Sequence, residues 1–127
     1  AHPGGAAAAL ACVPLIKKMG VADNAAARGE QLLAGGKALA EKYDVVGDVR
    51  GKGLMFCMEM VADRTTKTPL DKESIGKIFS GAYDAGVMVR ISGNNLICSP
   101  PLIITEAETQ NLLNGIEAGL RAATANG

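Results

Sequence analysis

Tryptophan is absent from this chain, and two tyrosines and two phenylalanines are its only aromatic residues. A core for 127 residues must therefore come from Leu, Ile, Val, Met and a large share of Ala, enough for one domain and not for two. Excess charge is missing as well: thirteen acidic residues balance thirteen basic ones, and the basic ones are scattered. That leaves no cationic footprint for nucleic acid and no polybasic anchor for a membrane. No window holds the roughly eighteen apolar residues of a spanning helix. The Ala-rich start carries no basic leader and does not read as a secretion signal. Three cysteines, Cys12, Cys57 and Cys98, form an odd set without paired spacing. They argue against a disulfide framework, favour a reducing compartment and read as small buried hydrophobes. A single histidine and no Cys-x-x-Cys exclude a plausible zinc site, and His2 reads as an N-terminal remnant. The opening Ala1-His2-Pro3, without an initiator methionine, is expected of part of a longer protein.

What is present is a clear order of elements. Pro3, then Ala6 to Ile16, predicts a first helix ending near Lys17, Lys18 and Gly20, kinked or displaced by Pro14. Its small side chains suit a tightly packed partner outside this chain. A second helix is predicted from Asp23 to Tyr43, with Leu32, Leu39, Ala40 and Tyr43 on one face. Gly36 falls on that face, as a weakened helix or a close crossing. Val45 to Arg50 and Leu54 to Val61 alternate as strands joined by Gly51-Lys52-Gly53, and the second is apolar on both faces. Asp63 to Pro69 reads as a loop. A third helix follows from Asp71 to Ala85, with Ile75, Ile78, Phe79 and Ala82 inward and Gly86 as its stop. Val87 to Arg90 and Asn95 to Cys98 are short strands about a Ser92-Gly93-Asn94 turn. Thr105 and Glu108 form a capping box for a final helix with Leu112, Leu113, Ile116, Leu120 and Ala123 buried. The class is α+β: a small antiparallel-rich sheet of about four strands, covered by helices on one face.

Catalytic constellations are lacking. Gly51-Lys52-Gly53 has neither the Walker spacing nor its Lys-Ser or Lys-Thr pair and reads as a tight turn. No Gly-x-Ser-x-Gly elbow occurs. Asp48 and Arg50, two apart on one strand, suit a local ion pair, and Glu59 suits a structural hydrogen bond. Arg90 stands out, a lone guanidinium at the end of an apolar strand with no carboxylate nearby in sequence. Spacing alone accommodates an arginine turned to water. Its planar fork also suits a carboxylate gripped by two parallel hydrogen bonds.

Three stretches have distinctive wording: Ala1 to Leu10, Val46 to Met55 (Val-Gly-Asp-Val-Arg-Gly-Lys-Gly-Leu-Met), and Val87 to Thr105 with Arg90 and Ser-Pro-Pro-Leu-Ile-Ile-Thr. In this order and at these separations the chain resembles class III aminotransferases, pyridoxal-phosphate enzymes of fold type I that include the omega-transaminases. The resemblance covers nearly the whole chain and implies the C-terminal part of such an enzyme. Residues 1–20 would end the large, cofactor-binding domain and 21–127 would form the small domain. It implies transfer of an amino group between an amine or amino acid and a keto acid, aldehyde or ketone, in a cytoplasmic homodimer. Arg90 matches the mobile arginine that binds the substrate carboxylate. The Schiff-base lysine, the aspartate facing the pyridine nitrogen and the phosphate-binding threonine match nothing here. The isolated piece is therefore expected to be inactive and free of cofactor. Gly5 and Gly36 stand where the family commonly has larger residues. An alternative from another class is a non-catalytic α+β module that binds a small carboxylate or a partner chain.

Overall fold

Strand β2, Met55–Asp63, is the hub of the sheet. It pairs antiparallel with β1 (Val46–Lys52), with β5 (Asn95–Cys98) and with the two-residue β3 (Thr68–Pro69). β4 (Arg90–Ser92) pairs only with β5, giving the order β1-β2-β5-β4 with β3 beside β2. The computed structural model describes residues 2–125. The α+β class holds, with a fifth strand beyond the four expected. β3 lies in the stretch read as a loop, where Asp63 Oδ1 accepts from the backbone N–H groups of Thr65 and Thr66 and turns the chain back.

Alternation along β2 buries Phe56, Met58 and Met60 against the helices and turns Met55, Cys57 and Glu59 the other way. Among the described residues that second face is only partly covered: Cys57 and Glu59 are half-buried and Met55 is 68% exposed. The strands also run further into the glycine segment than expected. Gly51 and Lys52 still pair, with Phe56 and Met55, and Gly53, at φ +53°, makes the turn.

Three helices cover the buried face: α2 (Val21–Lys42), α3 (Lys72–Asp84) and α4 (Glu106–Thr124). Leu32, Leu39, Ile78, Ile116 and Leu120 from them meet Met58, Met60 and Leu96 of the sheet. Burying five such aliphatic side chains is worth on the order of 10 kcal/mol before chain entropy is subtracted. α3 and α4 cross closely because Gly119 lacks a side chain that would strike the Ile78 carbonyl. Phe79, expected inward on α3, is half turned out at 38% exposure and stacks on Tyr83. The capping box is formed: Thr105 Oγ1 accepts from the Glu108 N–H at 3.2 Å, and Glu108 Oε2 accepts from the Thr105 N–H at 2.8 Å. Those backbone and hydroxyl donors hold the Glu108 carboxyl below its usual range.

The first helix, α1 (Pro3–Lys18), continues through Pro14 and buries none of its residues. It meets α2 at 58° across Met19 and Gly20. Leu10, Val13, Leu15 and Ile16 all stand exposed on it. Two readings change here. Cys12 is exposed rather than buried. His2 is the helix cap, with Nδ1 accepting from the Gly5 N–H at 3.3 Å. No single helix among the described residues is long and apolar enough to cross a membrane.

Candidate functional site

Arg90 begins a strand instead of ending one. Val87 to Val89 lie outside the ladder, because Val87 packs into the space that Gly115 leaves on α4 and Val89 is buried in the core. Gly86, at φ +83°, ends the helical course, and the Val87 N–H returns to the Ala82 carbonyl at 2.9 Å. Val87 and Val89 are thus anchored before the strand begins, while Met88 between them is 79% exposed. Arg90 is the first residue turned fully outward on the sheet, directly opposite Ile97.

Its guanidinium stands beside a groove of about 630 Å³ lined by Phe79, Met88, Ile97, Ser99 and Leu112, among others. These walls are apolar apart from Ser99, and neither lysine nor carboxylate lines the groove. Arg90 takes part in none of the seven ion pairs among the described residues. A guanidinium on an apolar rim with no internal anion can form charge-assisted, two-point hydrogen bonds with an anion from outside.

The hairpin carrying Arg90 is held from several sides. Asn94 Nδ2 donates to the Met60 carbonyl at 3.1 Å, and the Met60 N–H donates to the Asn94 carbonyl at 2.7 Å. Asn95 Nδ2 donates to the Ser92 carbonyl at 3.4 Å. Asn24 Nδ2 on α2 donates to the carbonyls of Leu102 and Ile104, fixing the segment after Pro100-Pro101. None of these asparagines stood out in the sequence, since each acts on backbone brought near only by the fold.

Asp48 and Arg50 form the expected ion pair at 2.9 Å, and Glu59 joins it at 3.3 Å. Asn94 Nδ2 also donates to Glu59 Oε1 at 3.4 Å, the structural role expected of that glutamate. Lys52 is exposed, near the Gly53 turn, with no phosphate-loop geometry around it. Burial pushes the Cys98 thiol up to about 12, so it is an inert core residue. Burial also raises Cys57, against the opposing pull of Arg50.

Residues 1–120 match the class-III aminotransferase family, and the chain belongs to it. It is 39% identical to the taurine–pyruvate aminotransferase of Rhodobacter capsulatus over 95% of this chain and 28% of that protein. It is 37% identical to the hypotaurine/taurine–pyruvate aminotransferase of Paracoccus denitrificans over 91% of this chain and 27% of that protein. Among solved structures, an amine transaminase from an uncultivated Pseudomonas species in a PLP-bound form superposes with TM-score 0.86 and 42% identity, over 98% of this chain and 28% of the other. The chain thus spans little more than a quarter of the length of these relatives.

Proposed function

We propose that this chain is the C-terminal part of a PLP-dependent class III aminotransferase, in which Arg90 grips the anionic end of the substrate. The enzyme would move an amino group between an amine or amino acid and a keto acid, aldehyde or ketone. The observation that carries the reading is the guanidinium of Arg90, exposed on the rim of an apolar groove and free of any ion pair among the described residues. The relatives' names agree in kind: pyruvate carries a carboxylate and taurine a sulfonate, both anions that a guanidinium can bind.

The residues around Arg90 do not form a cradle for the cofactor, because the groove offers neither lysine nor carboxylate. When bound, that group supplies the electron sink for amino transfer. It would be held by the remainder of the longer enzyme. What this chain contributes is recognition. The Arg90 fork would fix the substrate's anionic end, and Phe79, Met88 and Leu112 would keep water from the groove wall.

Two further features support a place within a larger assembly. Every residue of α1 is unburied, and the outer sheet face with Met55 is only partly covered. Both surfaces suit packing against the rest of a cofactor-binding domain, with residues 1–20 belonging to that domain and residues 21–127 forming the smaller one. Homodimeric assembly and a cytoplasmic setting complete the proposal.

The experiment is Arg90→Ala in the longer enzyme. Loss of a charged two-point contact should cost about 2 kcal/mol or more, roughly thirtyfold in kcat/KM, for amino-acid and keto-acid substrates. Simple amines should lose far less. Equal losses for both kinds would reject the assignment.

A further inference from the structure

The outer face of the sheet carries two rows of side chains. Arg90 pairs with Ile97, Ile97 with Cys57, and Cys57 with Arg50, so one row runs from edge strand to edge strand with a guanidinium at each end. Three strand spacings separate the two arginine backbones, about 14 Å. The neighbouring row reads Ser92, Asn95, Glu59, Asp48.

The two arginines differ in their company. Arg50 Nη1 donates to Asp48 Oδ2 at 2.9 Å and to Glu59 Oε2 at 3.3 Å, while its Nη2 donates to Asn95 Oδ1 at 2.7 Å. Arg90 takes part in no ion pair among the described residues. Glu59 lies two strands and one pleat repeat from Arg90, about 12 Å between backbones, a gap that an extended arginine and an extended glutamate together span. A free Glu59 would therefore be an internal competitor for any anion that Arg90 is to bind.

We propose that Arg50 is a positioning residue for Arg90: by holding Glu59 in an ion pair toward the far edge, it keeps the Arg90 guanidinium open to the substrate's anionic end. The same side chain holds Asn95, whose amide reaches the Ser92 carbonyl in β4, so it also steadies the strand that bears Arg90. Stability is a poor reason for this network. Arg50 and Asp48 are about half exposed, and exposed pairs contribute little beyond about 1 kcal/mol. The inference rests on the clamp role given to Arg90 above.

The test uses the longer enzyme and the donor half-reaction alone, comparing an amino-acid donor with a simple amine donor. Arg50→Met should lower the ratio of amino-acid to simple-amine kcat/KM about tenfold, mainly through KM for the amino acid. Adding Glu59→Gln to Arg50→Met should return the ratio to within about threefold of the unmodified enzyme, because an amide no longer competes for Arg90. A merely structural role predicts no such rescue. An unchanged ratio in Arg50→Met, or a fall that Glu59→Gln leaves in place, overturns the inference. If Arg50→Met fails to fold, Arg50→Lys serves, with a smaller fall that Glu59→Gln relieves; absence of that relief counts against the inference equally. Arg90→Ala measured alongside separates the two ideas. If its ratio does not fall, the clamp reading is wrong. If it falls while Arg50→Met leaves the ratio unchanged, only the role of Arg50 is lost.

Discussion

The ring of Phe56 occupies the space into which a side chain on Gly36 would project: a Cβ there would lie 2.6 Å from Cζ of Phe56 and 2.9 Å from Cγ1 of Val49. Gly36 is thus a close crossing of α2 over the sheet. Gly29, two turns earlier on α2, faces the backbone of Gly53, which cannot rotate aside. Gly76 on α3 has nothing within 4 Å of its missing side chain. Alanine substitutions should therefore rank in a definite order in thermal or urea unfolding. Gly29→Ala should be the most destabilising, by about 2 kcal/mol or more, and Gly36→Ala milder, because a ring can shift and helix propensity offsets about 1 kcal/mol. Gly76→Ala should stabilise by about 0.5 to 1 kcal/mol. A destabilised Gly76→Ala would contradict the open surroundings seen on α3.

Ile97 stands across the ladder from Arg90. Ile97→Glu would set a carboxylate directly opposite the guanidinium, at the spacing where cross-strand charges attract. Amino-acid and keto-acid substrates should then lose about tenfold in kcat/KM in the longer enzyme, since they must displace an internal anion. Ile97→Gln, of similar size and without charge, should lose much less. Equal losses in the two variants would indicate disturbed packing instead of competition.

Arg64 reaches back from the β2–β3 connection to the end of α2. Its guanidinium donates to the carbonyls of Ala40 in the last turn of α2 and of Tyr43 and Asp44 just past its end. Arg64→Ala should cost about 1 to 2 kcal/mol of stability and speed amide exchange in the last turn of α2. Substrate preference should not change, as Arg64 is remote from the groove at Arg90.

The lowered Glu108 carboxyl gives a pH dependence of known sign. Its folded value lies below the ordinary 4.5, owing first to the Thr105 N–H and then to the Thr105 hydroxyl. The stability it adds is therefore fully present above 4.5 and is lost as pH falls through the folded value. Asp71, which caps α3 through the Ser74 N–H, acts in the same direction. Glu108→Gln keeps the cap geometry but does not titrate. Melting temperature followed from about pH 6 to about pH 3 should fall less steeply in that variant than in the parent. Parallel curves would remove Glu108 from the account.

The helices were readable because their evidence is local. Period, stop glycines and the Thr105–Glu108 box lie within a few residues of what they cap, and the Asp48–Arg50 pair needs only that a strand exists. Other features depend on register between segments far apart in the chain. Asn95 reaches Arg50 only because β5 pairs with β2 and β2 with β1 in one particular alignment. The sequence leaves Gly36 between a weakened helix and a close crossing, and Phe56 lying beneath it decides for the crossing. Arg90 was found by type and setting, yet its place at the start of β4 was hidden. The apolar run before it seeks the gap at Gly115 on α4 and does not extend the ladder. Phe79 and Cys12 misled for one reason: an apolar residue's wording does not reveal whether its neighbours belong to the same chain.

The three-residue strand β4 hangs from the sheet by a single seam, that with β5. Exchanging the residues of β4 alone, with β5 left paired to the hub strand, would therefore disturb one seam of the sheet and no other. Under the clamp role proposed for Arg90, selectivity for acidic or neutral substrates would then travel with three residues instead of with a whole domain.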